Sequence, residues 1–366
     1  MTVRVGVIGT GMMGCEHLRN VAAVPHARVT AFSDPNEEPR GWARLTLDGA
    51  EAAEFVDHRD LLSSGLVDAI IVASPNHTHR ALLDDILATD IPVLVEKPMC
   101  TTVDDCLAVV DAQSRRSAMT WVGLEYRYMA PIAGLLAEVA AGSAGRVHMV
   151  SVREHRFPFL VKVDNWNRFT RNTGGTLVEK CCHFFDLMNM VVRTDAVRRG
   201  DVVPRPVRVL ASGAQSVNHL DEWHDGQRSD ILDNAYVIVE YSDASRAMLD
   251  LSMFAEAGRH EQELAVVGDA GKIEAQVPGP GRISVGTRTT RALREIETPV
   301  APEVGYLGAH FGASFVEVSR FCDAVESGGE AEVGVDDGLW SVAIGAAAHR
   351  SIDEGRPVLL SEYGLS

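Results

Sequence analysis

The first fourteen residues, MTVRVGVIGTGMMG, constrain the fold of this chain more than any other stretch. A short apolar run leads directly into GTGMMG, where Gly9, Gly11 and Gly14 open a segment with helical spacing. A tight turn, close backbone approach to a pyrophosphate and close helix-to-strand packing each require the missing Cβ, and the helix N-terminus supplies amide donors and a positive dipole end. Strand, glycine loop and helix in this order begin a doubly wound parallel sheet that binds a dinucleotide. Met12 and Met13, inside the loop, count with the three glycines as expected cofactor contacts.

Asp34 follows Gly14 by twenty residues (34 − 14) at the expected end of the second strand. A carboxylate there binds both ribose hydroxyls. It would repel a 2′-phosphate, and Pro35 offers no positive charge to neutralise one, so NAD is expected over NADP. Arg40 is the one nearby residue that could change this preference.

Further along, apolar runs at 28–32, 69–73, 93–95 and 119–122 join the first at 3–8, with helical stretches at 12–23, 77–88 and 102–114 between them. This alternation predicts parallel strands linked by crossover helices. Beyond Tyr126 the pattern changes to a helix over 131–140, a strand over 147–153, an aromatic and basic loop through Arg171, and a long helix beginning near Thr176. Runs at 207–216, 234–241, 247–254, 261–267 and 272–275, punctuated by Gly and Pro as in VPGPG, predict a large, mostly antiparallel sheet. Helical stretches 309–327 and 338–354 flank it, and 193–206 reads as an exposed loop. The expected fold class is α/β plus α+β: a Rossmann domain over 1–125 and a substrate-binding and oligomerisation domain over 126–366.

Composition narrows the partners. The 366 residues carry 34 Lys and Arg against 51 Asp and Glu, a net charge of −17. Such a surface repels phosphate backbones and anionic headgroups, so neither nucleic acid nor a membrane is expected as a partner. Six irregularly spaced cysteines form no CxxC pair, so no metal site is expected and a reducing compartment is. With neither a signal-peptide pattern nor a long apolar span, the expected location is cytoplasmic.

Strand four ends in Ser74-Pro75-Asn76-His77-Thr78-His79, and strand five ends in Glu96-Lys97-Pro98. With GTGMMG, Asp34, the YRY segment at 126–128 and GGTLVEKCCH at 174–183, these motifs resemble the glucose-fructose oxidoreductase, inositol dehydrogenase and rhizopine-catabolism family over nearly the whole chain. The resemblance implies hydride transfer between NAD and a carbinol carbon of a sugar or cyclitol. It also implies a second domain with a mixed sheet through which copies associate, as a dimer or tetramer. Ser74, Asn76, His79, Glu96 and Lys97 are expected beside the cofactor.

Oxidising a secondary alcohol needs a base for the hydroxyl proton and a donor to the developing carbonyl oxygen. Lys97 resembles the family's catalytic lysine, and His183 its catalytic histidine. Glu179, four residues before His183 and therefore on the same helical face, stands where the family more often has aspartate. Arg127, His155, Trp166, Asn167 and Arg168 supply the forked donors and aromatic surface common in sugar sites, and all but Arg168 are expected to touch the substrate. Lys180 is read first as a surface residue and second as a cation for an anionic substituent on the substrate. Two other functions stay open: a glycosidase using transient sugar oxidation with tightly held NAD, and a non-catalytic NAD-sensing regulator.

Overall fold

A computed structural model describes residues 2–278 and 281–365. Gly279 and Pro280 of the VPGPG punctuation therefore lie outside the described residues. In chain order the elements begin with β1 (Val3–Ile8), α1 (Met12–Ala23), β2 (Ala27–Ser33), α2 (Glu37–Leu47), β3 (Ala53–Phe55) and α3 (His58–Ser63). There follow β4 (Ala69–Val72), α4 (His79–Leu87), β5 (Val93–Glu96), α5 (Val103–Ser114), β6 (Thr120–Gly123), α6 (Ala130–Ala140) and β7 (Val147–His155). Next come α7 (Thr170–Thr173), α8 (Thr176–Glu179), α9 (Cys182–Arg199), β8 (Pro206–Ala214) and the short pair β9 (Trp223–His224) and β10 (Gln227–Arg228). The chain ends with β11 (Asn234–Tyr241), β12 (Arg246–Ser252), β13 (Gln262–Gly268), β14 (Gly271–Val277), β15 (Arg282–Thr287), β16 (Leu293–Glu297), α10 (Ala313–Ser327), α11 (Val335–Glu354) and β17 (Val358–Leu359).

Two compact units result, Met1–Tyr128 with Ala301–Leu339, and Met129–Val300 with Trp340–Ser366. The first holds a sheet of order β3-β2-β1-β4-β5-β6 whose strands all pair in parallel. The order reverses between β1 and β4, and in open sheets of this kind ligands bind outside the carboxyl ends of the strands at such a point. Strands β1, β4 and β5 are mostly apolar and almost wholly buried, as strands covered on both faces must be.

The first unit differs from the expected uninterrupted block 1–125, because Ala301–Leu339 returns to it. Trp121 on the edge strand β6 needs cover. Helix α10 supplies it, with Phe321 meeting the indole edge-on at a centroid separation of 6.2 Å and Glu317 Oε1 accepting from Trp121 Nε1 at 3.3 Å.

The second unit is built on a nine-stranded sheet of order β16-β15-β14-β13-β7-β12-β11-β8-β17. Among the described residues, β7 and β12 pair in parallel and the other neighbours in this sheet pair antiparallel. The expected exposed loop over 193–206 is in its first half helical, since α9 runs to Arg199 and closes on Gly200 at φ 72°. No helix among the described residues is long and apolar enough to cross a membrane.

Candidate functional site

At the carboxyl edge of the first sheet, Gly9 has φ +87°, and a Cβ there would lie 2.7 Å from Ser74 N. The β1 and β4 loops touch only because it is glycine. A Cβ on Gly14 would collide with the Gly9 carbonyl, whereas one on Gly11 would meet nothing within 4 Å beyond its chain neighbours. Gly11 caps α1 with no side-chain hydrogen bond, and the first turn carries no acidic residue. Uncapped amides and open space that a Cβ at residue 11 would fill thus suit the helix N-terminus to an anion.

Asp34 stands at the end of β2 as expected, with Oδ2 accepting from Thr10 N at 2.9 Å and Oδ1 from Asn36 N at 2.9 Å. Arg40 is tied down: it donates to the Asp34 carbonyl at 2.7 Å, to Glu54 Oε1 at 2.8 Å and to Glu37 Oε2 at 2.5 Å. Arg44 shares both glutamates. Two arginines matched by two carboxylates leave little charge to attract a 2′-phosphate. Asn76 is 6% exposed and its amide nitrogen has no protein partner, so a donor remains at the same edge. These features fit a dinucleotide with free ribose hydroxyls, held by the glycine loop, Asp34 and Asn76.

Ser74 and His79, expected cofactor contacts, hold the loops together. Ser74 Oγ lies 2.7 Å from Thr78 Oγ1. His79 has no exposed surface, and its ring nitrogens sit 2.9 Å from the Pro98 carbonyl and 3.1 Å from that of Ser74, bracing the β4 loop on the β5 loop.

Glu96 is also buried, with Oε1 2.7 Å from His17 Nε2 and Oε2 accepting from Lys97 N at 3.1 Å. Burial would raise its pKa, but the His17 hydrogen bond and the Lys97 charge outweigh that and hold it below the usual carboxylate range. Glu125, two residues past β6, has its carboxyl raised by burial and by Glu96, with His310 and Lys97 pulling the other way. Glu317 is pushed well above the ordinary carboxylate range by burial and by Glu125 and Glu96. His310 links Glu16 and Glu125 at 3.5 and 3.7 Å. Lys97 therefore stands beside a cluster of buried carboxyls, whose electrostatics respond to its charge. Sequence reasoning missed Glu125, His310 and Glu317, because nothing local marks a charged residue as buried. Arg127, expected at the substrate, is 6% exposed and engages Asp337 at 3.2 Å and the Glu332 carbonyl at 3.4 Å within the same unit.

In the second unit the Gly174-Gly175 turn, with both φ values positive, launches α8. The expected long helix is broken at Lys180-Cys181, and α9 restarts at Cys182. Glu179 and His183, 6% and 1% exposed, flank this break, and Lys180 and Cys181 keep right-handed helical angles, so the two side chains still share a face. Cys181 and Cys182 are fully buried thiols serving packing. Among the described residues no group of His, Cys, Asp and Glu is arranged to hold a metal.

Lys180 is not the surface residue expected first. It is buried, with Nζ 3.1 Å from Glu154 Oε1, because a fully buried carboxylate on β7 needs a counter-ion. Alternation along β7 points the adjacent His155 to the opposite face, where it pairs with Asp250 at 3.0 Å, away from Lys180. Asn167 and Arg168 are buried and brace their own loop: Asn167 donates to the Leu160 carbonyl at 3.0 Å, and Arg168 to Phe159 O at 3.2 Å and Glu222 Oε1 at 3.0 Å. The half-buried Trp166 gives its carbonyl to Asn172 at 3.0 Å. Glu222, unmarked in the sequence, resists burial through hydrogen bonds from His224, His219 and Arg168, which draw its pKa down to about 2.

A family model described as "Oxidoreductase family, NAD-binding Rossmann fold" matches residues 3–124, and one described as "Oxidoreductase family, C-terminal alpha/beta domain" matches 137–360. Inositol 2-dehydrogenase 1 of Saccharopolyspora erythraea is 28% identical, over 98% of this chain and 96% of its own. Myo-inositol 2-dehydrogenase of Thermotoga maritima is 26% identical, over 98% and 99%. A levoglucosan dehydrogenase solved with NADH and levoglucosan shares the fold at TM-score 0.83 and 18% identity, over 98% of this chain and 100% of that one. The two family models, which together match most of its length, make this chain a member of the Gfo/Idh/MocA oxidoreductase family, with NAD as its cofactor.

Proposed function

We propose that this oxidoreductase removes hydride from a secondary hydroxyl of a sugar, sugar derivative or cyclitol and passes it to NAD. Bound NAD supplies the hydride acceptor. Lys97 donates to the reacting oxygen and stabilises the developing carbonyl, His183 takes the hydroxyl proton on its imidazole, and Glu179 orients His183. The observation that carries this reading is the position of Lys97 directly after β5, at the carboxyl edge of the NAD-binding sheet, with its backbone N–H donating to Glu96 Oε2 at 3.1 Å. An ammonium donates to oxygen; a neutral amine would do so less well. Six buried cysteines, none in a disulfide, suit a reducing, cytoplasmic setting. The glycosidase and regulator readings gain no support from the relatives described above.

A panel of sugars, cyclitols and glycosides incubated with NAD tests the reading. Reduced cofactor should accumulate with at least one sugar or cyclitol. A protein that binds NADH yet reduces NAD with none of them, or that releases aglycone without NADH, contradicts it.

Association through the second unit's sheet belongs to the same proposal. Leu210, Ile238 and Met248 lie side by side across β8, β11 and β12, and are 44%, 43% and 38% exposed. An apolar row on an open sheet face is suited to burial against a second copy. Ile238→Glu is expected to convert a dimer or tetramer to a smaller species in light scattering after size exclusion. An unchanged mass would reject this face as the interface.

A further inference from the structure

Helix α8 lacks a local side-chain cap, because its N-cap is Gly175. The acceptor comes instead from 172 residues away, where His349 on α11 takes the Leu177 N–H on Nε2 at 3.0 Å. Gly175 makes room for that ring: its φ is +88°, and a Cβ there would stand 2.6 Å from His349 Cε1. One turn earlier on α11, Gly345 brings the two backbones together, since its own Cβ would lie 2.6 Å from the Leu177 carbonyl oxygen and 3.1 Å from Val178 Cα. Residues four apart on one helix thus grip both sides of the same peptide segment. Burial, offset in part by Asp353, the Gly175 backbone and Asp230, pushes the His349 pKa down to about 4. The ring is therefore neutral at working pH and its Nε2 can accept.

We propose that His349 and Gly345 are positioning residues for the reaction, fixing the backbone at 175–178 that carries Glu179 and, beyond the break, His183. This rests on the reading that Glu179 and His183 work on the substrate. Neither positioning residue needs to touch substrate: a displacement of the catalytic pair by a fraction of an ångström is enough to misalign proton transfer.

His349→Leu removes the acceptor, and His349→Gln returns one at similar reach. For each, kcat and KM with the responsive polyol, NADH affinity and Tm are measured on the full chain. The Leu variant should lose about ten- to a hundredfold in kcat, with NADH affinity unchanged, and the Gln variant should recover to within about fivefold of the parent. Full kcat in His349→Leu overturns the proposal, as does a Gln variant that falls as far as Leu. Should the Leu variant not fold, Gly345→Ala gives a second reading: its kcat should drop at least about threefold, and an unchanged value is contrary. His183→Ala is run alongside. If it keeps turnover, the catalytic reading fails; if it is inactive while His349→Leu is fully active, only the positioning role fails.

Discussion

Lys97→Ala is expected to lower NAD reduction by a responsive polyol roughly 10²- to 10⁴-fold, the range typical for removing one proton-handling or oxyanion-stabilising group. The size of the effect follows from the surroundings. Glu96 is 5% exposed and Glu125 2%, and both carboxyls respond to the Lys97 charge. Taking that cation away leaves buried negative charge with one partner fewer and the reacting oxygen without its donor. Lys97→Arg should not restore the rate, because a planar fork cannot occupy the place of a compact ammonium. NADH binding should persist in both variants, since the glycine loop and Asp34 are untouched. Parent-like kcat in Lys97→Ala would remove Lys97 from the mechanism.

Gly14→Ala and Gly11→Ala should both abolish useful NADH binding, for different reasons. The Cβ of residue 14 would strike the Gly9 carbonyl, so α1 must move off β1, at a cost of about 1–3 kcal/mol in stability. That of residue 11 meets nothing within 4 Å beyond its chain neighbours and should leave stability within about 0.5 kcal/mol of the parent. It occupies the space a pyrophosphate needs. Thermal melts with NADH titrations separate the two cases: Gly11→Ala should keep its Tm and lose ligand stabilisation. A Gly11→Ala protein that binds NADH as the parent does would show that the diphosphate lies elsewhere.

Much of the first unit was legible because its signals are local. The apolar run over Val3–Ile8 and the helical spacing over Met12–Ala23 match the observed elements residue for residue. Helix α2, EEPRGWARLTL, escaped because its polar surface obscures the apolar period, and β3 because three residues carry no period at all. The return of Ala301–Leu339 to the first unit was hidden for another reason: covering Trp121 is a tertiary demand that α10 satisfies from 196 residues away.

At the site, residue types were easier to read than their surroundings. Lys180 looks solvated until Glu154, far off in sequence, is found beneath it. His155 and Glu154 are neighbours, yet strand alternation gives them opposite faces. Arg127 carries the forked donor expected of a sugar contact, but Asp337 engages it inside the first unit. In each case the deciding partner lies more than twenty residues from the motif or on the other face of the strand.

The most direct test of the central claim is the initial rate of NADH formation by purified His183→Ala with the responsive polyol, beside an NADH titration of the same sample. The account predicts a rate at least about a hundredfold below the parent with NADH affinity within about threefold. A variant that forms NADH at the parent rate would contradict it.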